Sequence, residues 1–446
     1  MKKIQFTMFI LIFLSIGSML FAGGFSLTGV GSRATAMGGA FRGLADDASA
    51  MYWNPAGLGF VDGMTVDVGG TVIMPSGTWN SAGTQYTAIP GFSSKEYEAE
   101  KSLRSFPSAF ITMAKNPKLK YGLGVFVPYG LGTTWDVYKL PTSTSTTGPL
   151  TYAAGFPENE LKSSIAVVDI HPTVAYQIMP NLSAGLGLSV MYTTIELGKI
   201  SFNPLLGATA YLQPISSDMS GDGIGYGANM GLVYKPTECL SLGLSGKLPT
   251  TVALEGEAEI YLWKPQPIVA SAVKVGGKPD ITTDLTLPSD IGLGVSYKVK
   301  PNWVVNLDYT YTMWSAVEEV KVKMKTPANV LGTTESVVAF DWEDTNRISL
   351  GTEYLMCGNA LRAGFFMDES PIPEETQTPT LSDINTKYSM NLGWGRSFGK
   401  FTVDANVQYI MFPEREIKAT DQTATNMAGV YNTTSMSGNI GIGYRF

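Results

Sequence analysis

Residues 224–235 read IGYGANMGLVYK. Ile224, Tyr226, Ala228, Met230, Leu232 and Tyr234 share one parity, and Gly225, Gly227, Asn229, Gly231 and Lys235 share the other. Successive side chains of a strand point to opposite faces, so this stretch predicts an extended segment with one apolar face and one small or polar face. The pattern recurs. In 291–299, Ile291, Leu293, Val295, Tyr297 and Val299 alternate with Gly292, Gly294, Ser296 and Lys298. In 401–411, Phe401, Val403, Ala405, Val407, Tyr409 and Met411 alternate with Thr402, Asp404, Asn406 and Gln408. Each segment is about as long as a strand needs to cross a bilayer, roughly 9–11 residues.

The connections between such segments come in two kinds. Six are short turns, at Lys115–Lys118, Met179–Asn181, Lys235–Glu238, Lys300–Asn302, Cys357–Asn359 and Gly399–Lys400. Seven are long and polar, near 75–106, 130–162, 196–223, 248–288, 314–344, 367–385 and 412–435. Thirteen connections join fourteen strands, and the two kinds alternate strictly, beginning and ending with a long one. Sorting of loops by length, with an even strand number, is the pattern of an all-β transmembrane barrel in a bacterial outer membrane. Closure also removes the unpaired sheet edges that lipid penalises.

Composition agrees. Charged residues are 15% of the 446, against about 25% in soluble domains. Mean hydropathy is +0.07, too polar for a bundle of membrane helices. Two cysteines and one histidine exclude a disulfide scaffold and a His/Cys-rich metal protein. The net charge of −7 argues against a nucleic-acid partner.

The chain opens MKKIQFTMFILIFLSIGSMLFA, two lysines before an apolar run closed by Ala22. That is the form of a secretory signal peptide over 1–22, although the −3 position would be Leu20. No later run reaches the 18–20 apolar residues of a spanning helix. The chain ends NIGIGYRF, an alternating strand whose final Phe446 resembles the C-terminal signal of bacterial outer-membrane barrels. That resemblance implies the barrel-assembly machinery as a partner, with outer-membrane lipid and lipopolysaccharide around a monomeric barrel.

Residues 23–59 lack strand alternation and are rich in Gly and Ala. Asp46 or Asp47 can N-cap a short helix through Trp53, which Pro55 then ends. The polar parity of many strands is glycine, as at 185, 187, 231, 243, 393 and 395. Such glycines either ease strand bending or leave room for something packed against the wall.

The run Gly38–Leu58, ending ADDASAMYWNPAGL, closely resembles the N-terminal plug signature of the FadL/TodX family. VPYGLGTTW at 127–135, LPSDIGLGVSY at 287–297, LDYTYTMWS at 307–315 and LRAGFFMDESPIP at 361–373 are similar too. The resemblance implies an outer-membrane importer of long-chain fatty acids or hydrocarbons. It implies a fourteen-stranded barrel over 60–446, a plug or hatch over 23–59 inside it, an apolar ligand path and a lateral exit through a kinked strand. It assigns plug or gating roles to Phe25, Gly38, Gly39, Asp46, Asp47, Asn54, Pro55 and Ala56, with Phe25 tucked into the ligand path. The third strand, from Leu119 to about Tyr129, carries Pro128, Tyr129 and Gly130 at the place of the kink. Proline cannot donate to a ladder and glycine often marks a bulge, so these residues read either as the lateral opening or as a simple strand end.

Catalytic chemistry is not legible. His171 shares the polar parity of strand four with Asp169, Thr173 and Gln177, and Ser163 on the same strand is too far away to be its nucleophile. The GDGIGYG run at 221–227 enters a strand, not a helix, and is no dinucleotide loop. Cys239 and Cys357 fall at different turns, too far apart for a disulfide. Asp368-Glu369 and Glu374-Glu375 read as solvated loop charge. The expectation is a transporter and not an enzyme, with no metal, no cofactor and no nucleic acid, taking up a hydrophobic small molecule without energy input. An aqueous porin and an adhesin-like barrel are the competing classes.

Overall fold

The computed structural model describes residues 24–82, 96–114, 116–137, 160–202, 214–263, 274–326, 334–423 and 425–446. The signal peptide expected over 1–22 lies outside them. No helix among the described residues is long and apolar enough to cross a membrane.

Fourteen strands form one closed antiparallel barrel. In chain order they are β1 (Thr65–Ser81), β2 (Arg104–Ala114), β3 (Leu119–Trp135), β4 (Leu161–Met179), β5 (Leu182–Phe202), β6 (Pro214–Tyr234), β7 (Leu240–Lys247 continuing as Thr250–Trp263), β8 (Asp280–Leu287 continuing as Ser289–Lys300), β9 (Trp303–Met313), β10 (Thr345–Met356), β11 (Asn359–Asp368), β12 (Lys387–Phe398), β13 (Phe401–Met411) and β14 (Gly429–Arg445). Each pairs with the next, and β1 closes on β14 from Thr65↔Arg445 to Ser81↔Gly429. Short ribbons such as Glu319–Met324 with Glu335–Ala339 extend the long-loop side.

The side chains facing out of the lower wall are the apolar parity read from the sequence: Ile224, Tyr226, Met230, Leu232 and Tyr234 on β6, and Ile291, Leu293, Val295 and Tyr297 on β8, are all exposed. Only lipid makes such a belt favourable.

The strands run further than expected. The stretches 196–223 and 248–288, read as loops, are largely strand: β5 continues to Phe202, β6 begins at Pro214, and β7 and β8 continue through Thr250–Trp263 and Asp280–Leu287. β3 likewise continues to Trp135 rather than ending near Tyr129. The cause is an inversion of pattern. On lower β7 the outward residues are Leu242 and Leu244 and the inward ones Gly243 and Ser245. On upper β7, Val252, Leu254, Ala258 and Ile260 are buried inside and Glu255, Glu257 and Glu259 point out. Above the lipid the outer face meets water, so polar side chains move out and apolar ones line the interior. A bulge makes the switch. Asn229 pairs Lys247 but Gly225 pairs Val252, so Leu248-Pro249 inserts one extra residue.

Candidate functional site

Residues 24–61 pack against the inward face of the wall, and nearly all are buried. Their local structure is short: α1 (Ser32–Ala36), α2 (Ala50–Trp53) and a 3-10 turn over Pro55–Phe60. Neither Asp46 nor Asp47 is the N-cap of α2, which is Ser49. Asp47 instead accepts from the Ser49 N–H at 2.8 Å and hydroxyl at 2.6 Å, bracing the turn before the helix. Burial pushes the Asp47 carboxyl up, partly offset by Arg33. Asp46 pairs with Arg33 at 2.5 Å. Pro55 does end α2: Asn54 before it is extended at φ −160°, as a pre-proline residue prefers.

Asn54 is fully buried and joins three parts of the molecule. Its Oδ1 accepts from the Ala56 N–H, and its Nδ2 donates to the carbonyls of Arg42 and, on β6, Leu232. The wall leaves room for this backbone. A Cβ on Gly243 would stand 2.0 Å from the Arg42 oxygen, and one on Gly185 would stand 2.3 Å from the Ala56 nitrogen. Of the two accounts of the wall glycines, close packing holds at these positions. Gly38 (φ +68°) and Gly39 (φ +76°) adopt a conformation that side chains oppose. A Cβ on Gly38 would also lie 2.8 Å from the Phe365 carbonyl of β11.

Ionic contacts tie the segment to the wall. Arg33 bridges Glu353 of β10 at 2.8 Å, and Glu353 also binds Arg362, which continues to Asp404 at 2.5 Å. Asp308 on β9 accepts the N–H groups of Phe41 and Arg42 at 2.8 and 2.7 Å. Arg42 itself reaches Asp290 at 3.1 Å. Arg33, Arg42, Asp308 and Glu353 were not singled out in the sequence. The signal available was a lone acid at the inward parity of a membrane strand, as Asp308 is between Leu307 and Tyr309.

The second feature is the break at β3. The β2–β3 ladder stops at Ala109↔Val125, although β2 stays paired with β1 up to Ile73↔Arg104. On the other side β3 keeps its ladder with β4 through a bulge, Phe126 pairing Asp169 and Tyr129 pairing Val167. Val127-Pro128 supplies the extra residue. From Phe126 to Thr133, β3 therefore has no ladder partner on the β2 side, and beyond that gap the Glu100 N–H donates to the Thr134 carbonyl at 2.9 Å. Ser26 bridges Tyr129 within the gap: the Leu27 N–H donates to the Pro128 carbonyl at 2.8 Å, and the Gly130 N–H donates to the Phe25 carbonyl at 2.7 Å. The expected interruption is present, but the Gly130 donor is occupied.

Phe25 is buried among aromatic rings, edge-on to Trp314 at 4.9 Å and to Tyr129 at 5.8 Å, with Trp342 at 5.4 Å. The Gly24 N–H donates to Asp383 at 2.7 Å, and Lys387 reaches the same oxygen at 2.9 Å. Burial raises the Asp383 carboxyl to about 6, despite the opposing pull of Lys387. Trp314, Trp342 and Asp383 lie on outer loops and carried no periodic signal. Above Phe25 the interior is apolar, continuing through Val252, Leu254, Ile281 and Val322. Below it a small open space is lined by charged groups, including Arg42, Lys247, Arg347, Asp290 and Asp368.

His171 meets Asp169, which shares its face of β4, and Ser189 of β5, which the sequence did not bring to it. Both contact Nδ1, at 3.2 and 2.9 Å, while Nε2 lies 3.1 Å from Asn229 Oδ1. A hydrolytic relay needs the serine and the carboxylate on opposite ring nitrogens, so this set is not one. Asn229 passes the contact to the Met51 carbonyl of the N-terminal segment at 2.8 Å. Asp368 is not the solvated loop charge expected: it is buried beside Lys387 at 3.4 Å and Arg347 at 3.8 Å. Glu369 accepts the Asn346 N–H at 2.8 Å. The described residues hold no cluster suited to a metal. Cys239 and Cys357 are free and exposed.

Known proteins share this architecture. The family of outer membrane protein transport proteins (OMPP1/FadL/TodX) matches residues 13–446. The long-chain fatty acid transport protein of Salmonella typhi is 24% identical over 421 residues, covering 89% of each chain. Outer membrane protein P1 of Haemophilus influenzae is 22% identical over 435 residues, covering 88% of this chain and 86% of its own. In structure, a Pseudomonas aeruginosa FadL homologue matches with a TM-score of 0.77 at 17% identity, over 95% of this chain and all of the other. The Pseudomonas putida toluene transporter TodX matches at 0.71 and 18%, with the same coverage. The closed fourteen-stranded barrel, its lipid-facing belt and the match over nearly the whole sequence place this chain in the outer membrane, as a member of the OMPP1/FadL/TodX family of outer membrane transport proteins.

Proposed function

We propose that the chain passively imports a hydrophobic small molecule, a long-chain fatty acid or hydrocarbon, and releases it sideways into lipid at β3. The observation that carries this reading is the gap in the β2–β3 ladder beside the buried Phe25. A hydrophobic molecule descending the apolar interior meets Phe25 and Tyr129. Directly below lies charge, which an apolar chain enters only at the cost of desolvating ionic groups. To the side lies a stretch of wall with no β2–β3 hydrogen bonds. Residues 24–59 act as the plug, and withdrawal of Phe25–Leu27 uncovers the opening, with Pro128, Tyr129 and Gly130 as its rim. Asn54 holds the plug on β6, Pro55 and Ala56 lie against Gly185 of β5, Gly38 packs on Phe365 of β11, and Gly39 lies beside Arg347 of β10. Asp46 and Asp47 fix Arg33. An apolar upper interior also speaks against a sugar-conducting aqueous pore. The chain works as a monomer in lipid and lipopolysaccharide, with the exposed Phe446 read by the barrel-assembly machinery. The test is labelled oleate binding and uptake by cells with and without the protein, beside liposome swelling in sugars. Oleate uptake without sugar swelling supports the reading; swelling without oleate uptake rejects it.

A further inference from the structure

The short-turn end of the barrel carries a charge pattern that import does not use. Lys118 on the β2–β3 turn, Lys298 and Lys300 at the end of β8, and Arg396 and Lys400 at the β12–β13 end are all exposed. None of these five is in an ion pair among the described residues. Glu238 is the single acid in the described turns that join the strands there. The inward acids nearby are already engaged: Glu353 holds Arg33 and Arg362, and Asp404 holds Arg362. At the opposite end the outward face carries acids instead, such as Glu255 and Glu257 on β7.

The basic groups stand among aromatic rings at the edge of the lipid-facing belt. Arg396 shares its parity on β12 with the exposed Leu392 and Trp394, and its guanidinium lies 5.2 Å from the Phe398 ring. Lys400 lies 5.9 Å from the Tyr444 ring, which packs edge-on against Phe401 and Phe446, each at 4.8 Å. Lys300 pairs in register with Trp303. Exposed aromatic rings of this kind mark the depth of the lipid headgroups. Long cationic side chains there lay their stems on apolar surface and hold their charges at headgroup level. Neighbouring cations repel one another, and an anion between them relieves the repulsion. The anion present at that depth is a phosphodiester, whose oxygens suit the fork of an arginine.

We propose that the short-turn rim binds the phosphate headgroups of anionic phospholipid, with Arg396 and Lys400 as one contact and Lys298 and Lys300 as another. Short turns of such barrels face the periplasm, so the lipid is that of the inner leaflet. The rim selects phosphatidylglycerol over zwitterionic lipid. The inference does not depend on which molecule the barrel imports.

The test uses the protein reconstituted in vesicles. Trp303 and Trp394 are exposed beside the two basic pairs, and the other six tryptophans are buried, so bromine on lipid acyl chains quenches the rim selectively. Quenching by brominated phosphatidylglycerol is compared with quenching by brominated phosphatidylcholine, each in phosphatidylcholine vesicles. Wild type is set beside the combined variant Lys298→Gln, Lys300→Gln, Arg396→Gln and Lys400→Gln, whose heat-modifiable migration reports folding. Wild type is expected to prefer phosphatidylglycerol about fivefold, and the variant to show almost no preference. High salt should weaken the wild-type preference, since the rim is exposed. Equal quenching by the two lipids in wild type overturns the proposal without recourse to any variant. A preference that persists in the variant overturns it too. Binding of wild type to purified peptidoglycan sacculi, lost in the variant and without any lipid preference, assigns the rim to a cell-wall polymer and rejects the lipid.

Discussion

The Gly130 N–H donates to the Phe25 carbonyl at 2.7 Å, so the edge that β2 leaves open on β3 is closed by the N-terminal segment. The gap in the β2–β3 ladder and the backbone of the buried Phe25 are thereby one hydrogen-bonded unit. Movement of Phe25 requires the loss of this bond and of its neighbour, Leu27 to Pro128. Each is worth about 1 kcal/mol net.

Replacing both Pro128 and Gly130 by valine should lower hydrophobic uptake while surface expression stays normal. Valine at 128 restores a donor. At 130 a Cβ would lie 3.3 Å from Leu27 Cδ1 and 3.5 Å from Phe106, so a branched side chain crowds the gap. Binding to whole cells should survive, because the block lies downstream. Transport equal to wild type would place the exit elsewhere.

Gly38→Val, or deletion of Asn54–Ala56, should alter uptake more than assembly. The first places a side chain at φ +68° against the Phe365 backbone, and the second removes the bonds to Arg42 and Leu232. Heat-modifiable migration on gels should remain, since the β1–β14 closure does not involve these residues. Loss of the folded band would instead make the segment part of the barrel's own stability.

Glu353→Gln leaves Arg33 and Arg362 without their shared carboxylate. Breaking a buried pair costs about 3–5 kcal/mol. The cost should appear as loosening of residues 24–59, read as faster trypsin cleavage at Arg33 or Arg42 in an otherwise intact barrel. Wild-type cleavage rates would show that the pair does not hold the segment.

Asp383 predicts a pH response. Its folded carboxyl titrates near 6, above the ordinary 3.8, because burial disfavours the charge. The folded state therefore holds a proton that the unfolded chain releases, and this group's contribution to stability falls as pH rises from about 4 to 6. Fluorescence of Trp314 and Trp342, which flank Phe25, should change with a midpoint near pH 6. Asp383→Asn should abolish that midpoint, and its persistence would assign the transition to another group.

Strand number and closure were legible because lipid imposes a period-two code on every spanning strand. The code failed where lipid ends. At Leu248-Pro249 one inserted residue flips the faces, so Val252 and Leu254 turn inward and the continuing strand reads as a polar loop. Phe25, Asn54 and Pro128 were reached through family resemblance and the chemistry of proline. Trp314, Trp342 and Asp383 come together only by loop packing over long sequence separations, which no local pattern encodes. Asp169 shares the face of His171 on β4 and was legible from parity, whereas Ser189 reaches it from β5 through a register that no local pattern encodes.

The central claim is that Phe25–Leu27 must leave the β3 edge for ligand to pass. Ser26 and Tyr129 are bridge partners, and facing residues of such a pair stand about 4.5–5.5 Å apart at Cα, within reach of a disulfide. The measurement is labelled oleate uptake by cells carrying Ser26→Cys and Tyr129→Cys, with Cys239 and Cys357 changed to Ser, before and after reduction. The account predicts that the oxidised protein binds oleate without transporting it and that reductant restores transport. Equal transport by the oxidised and reduced protein would contradict it.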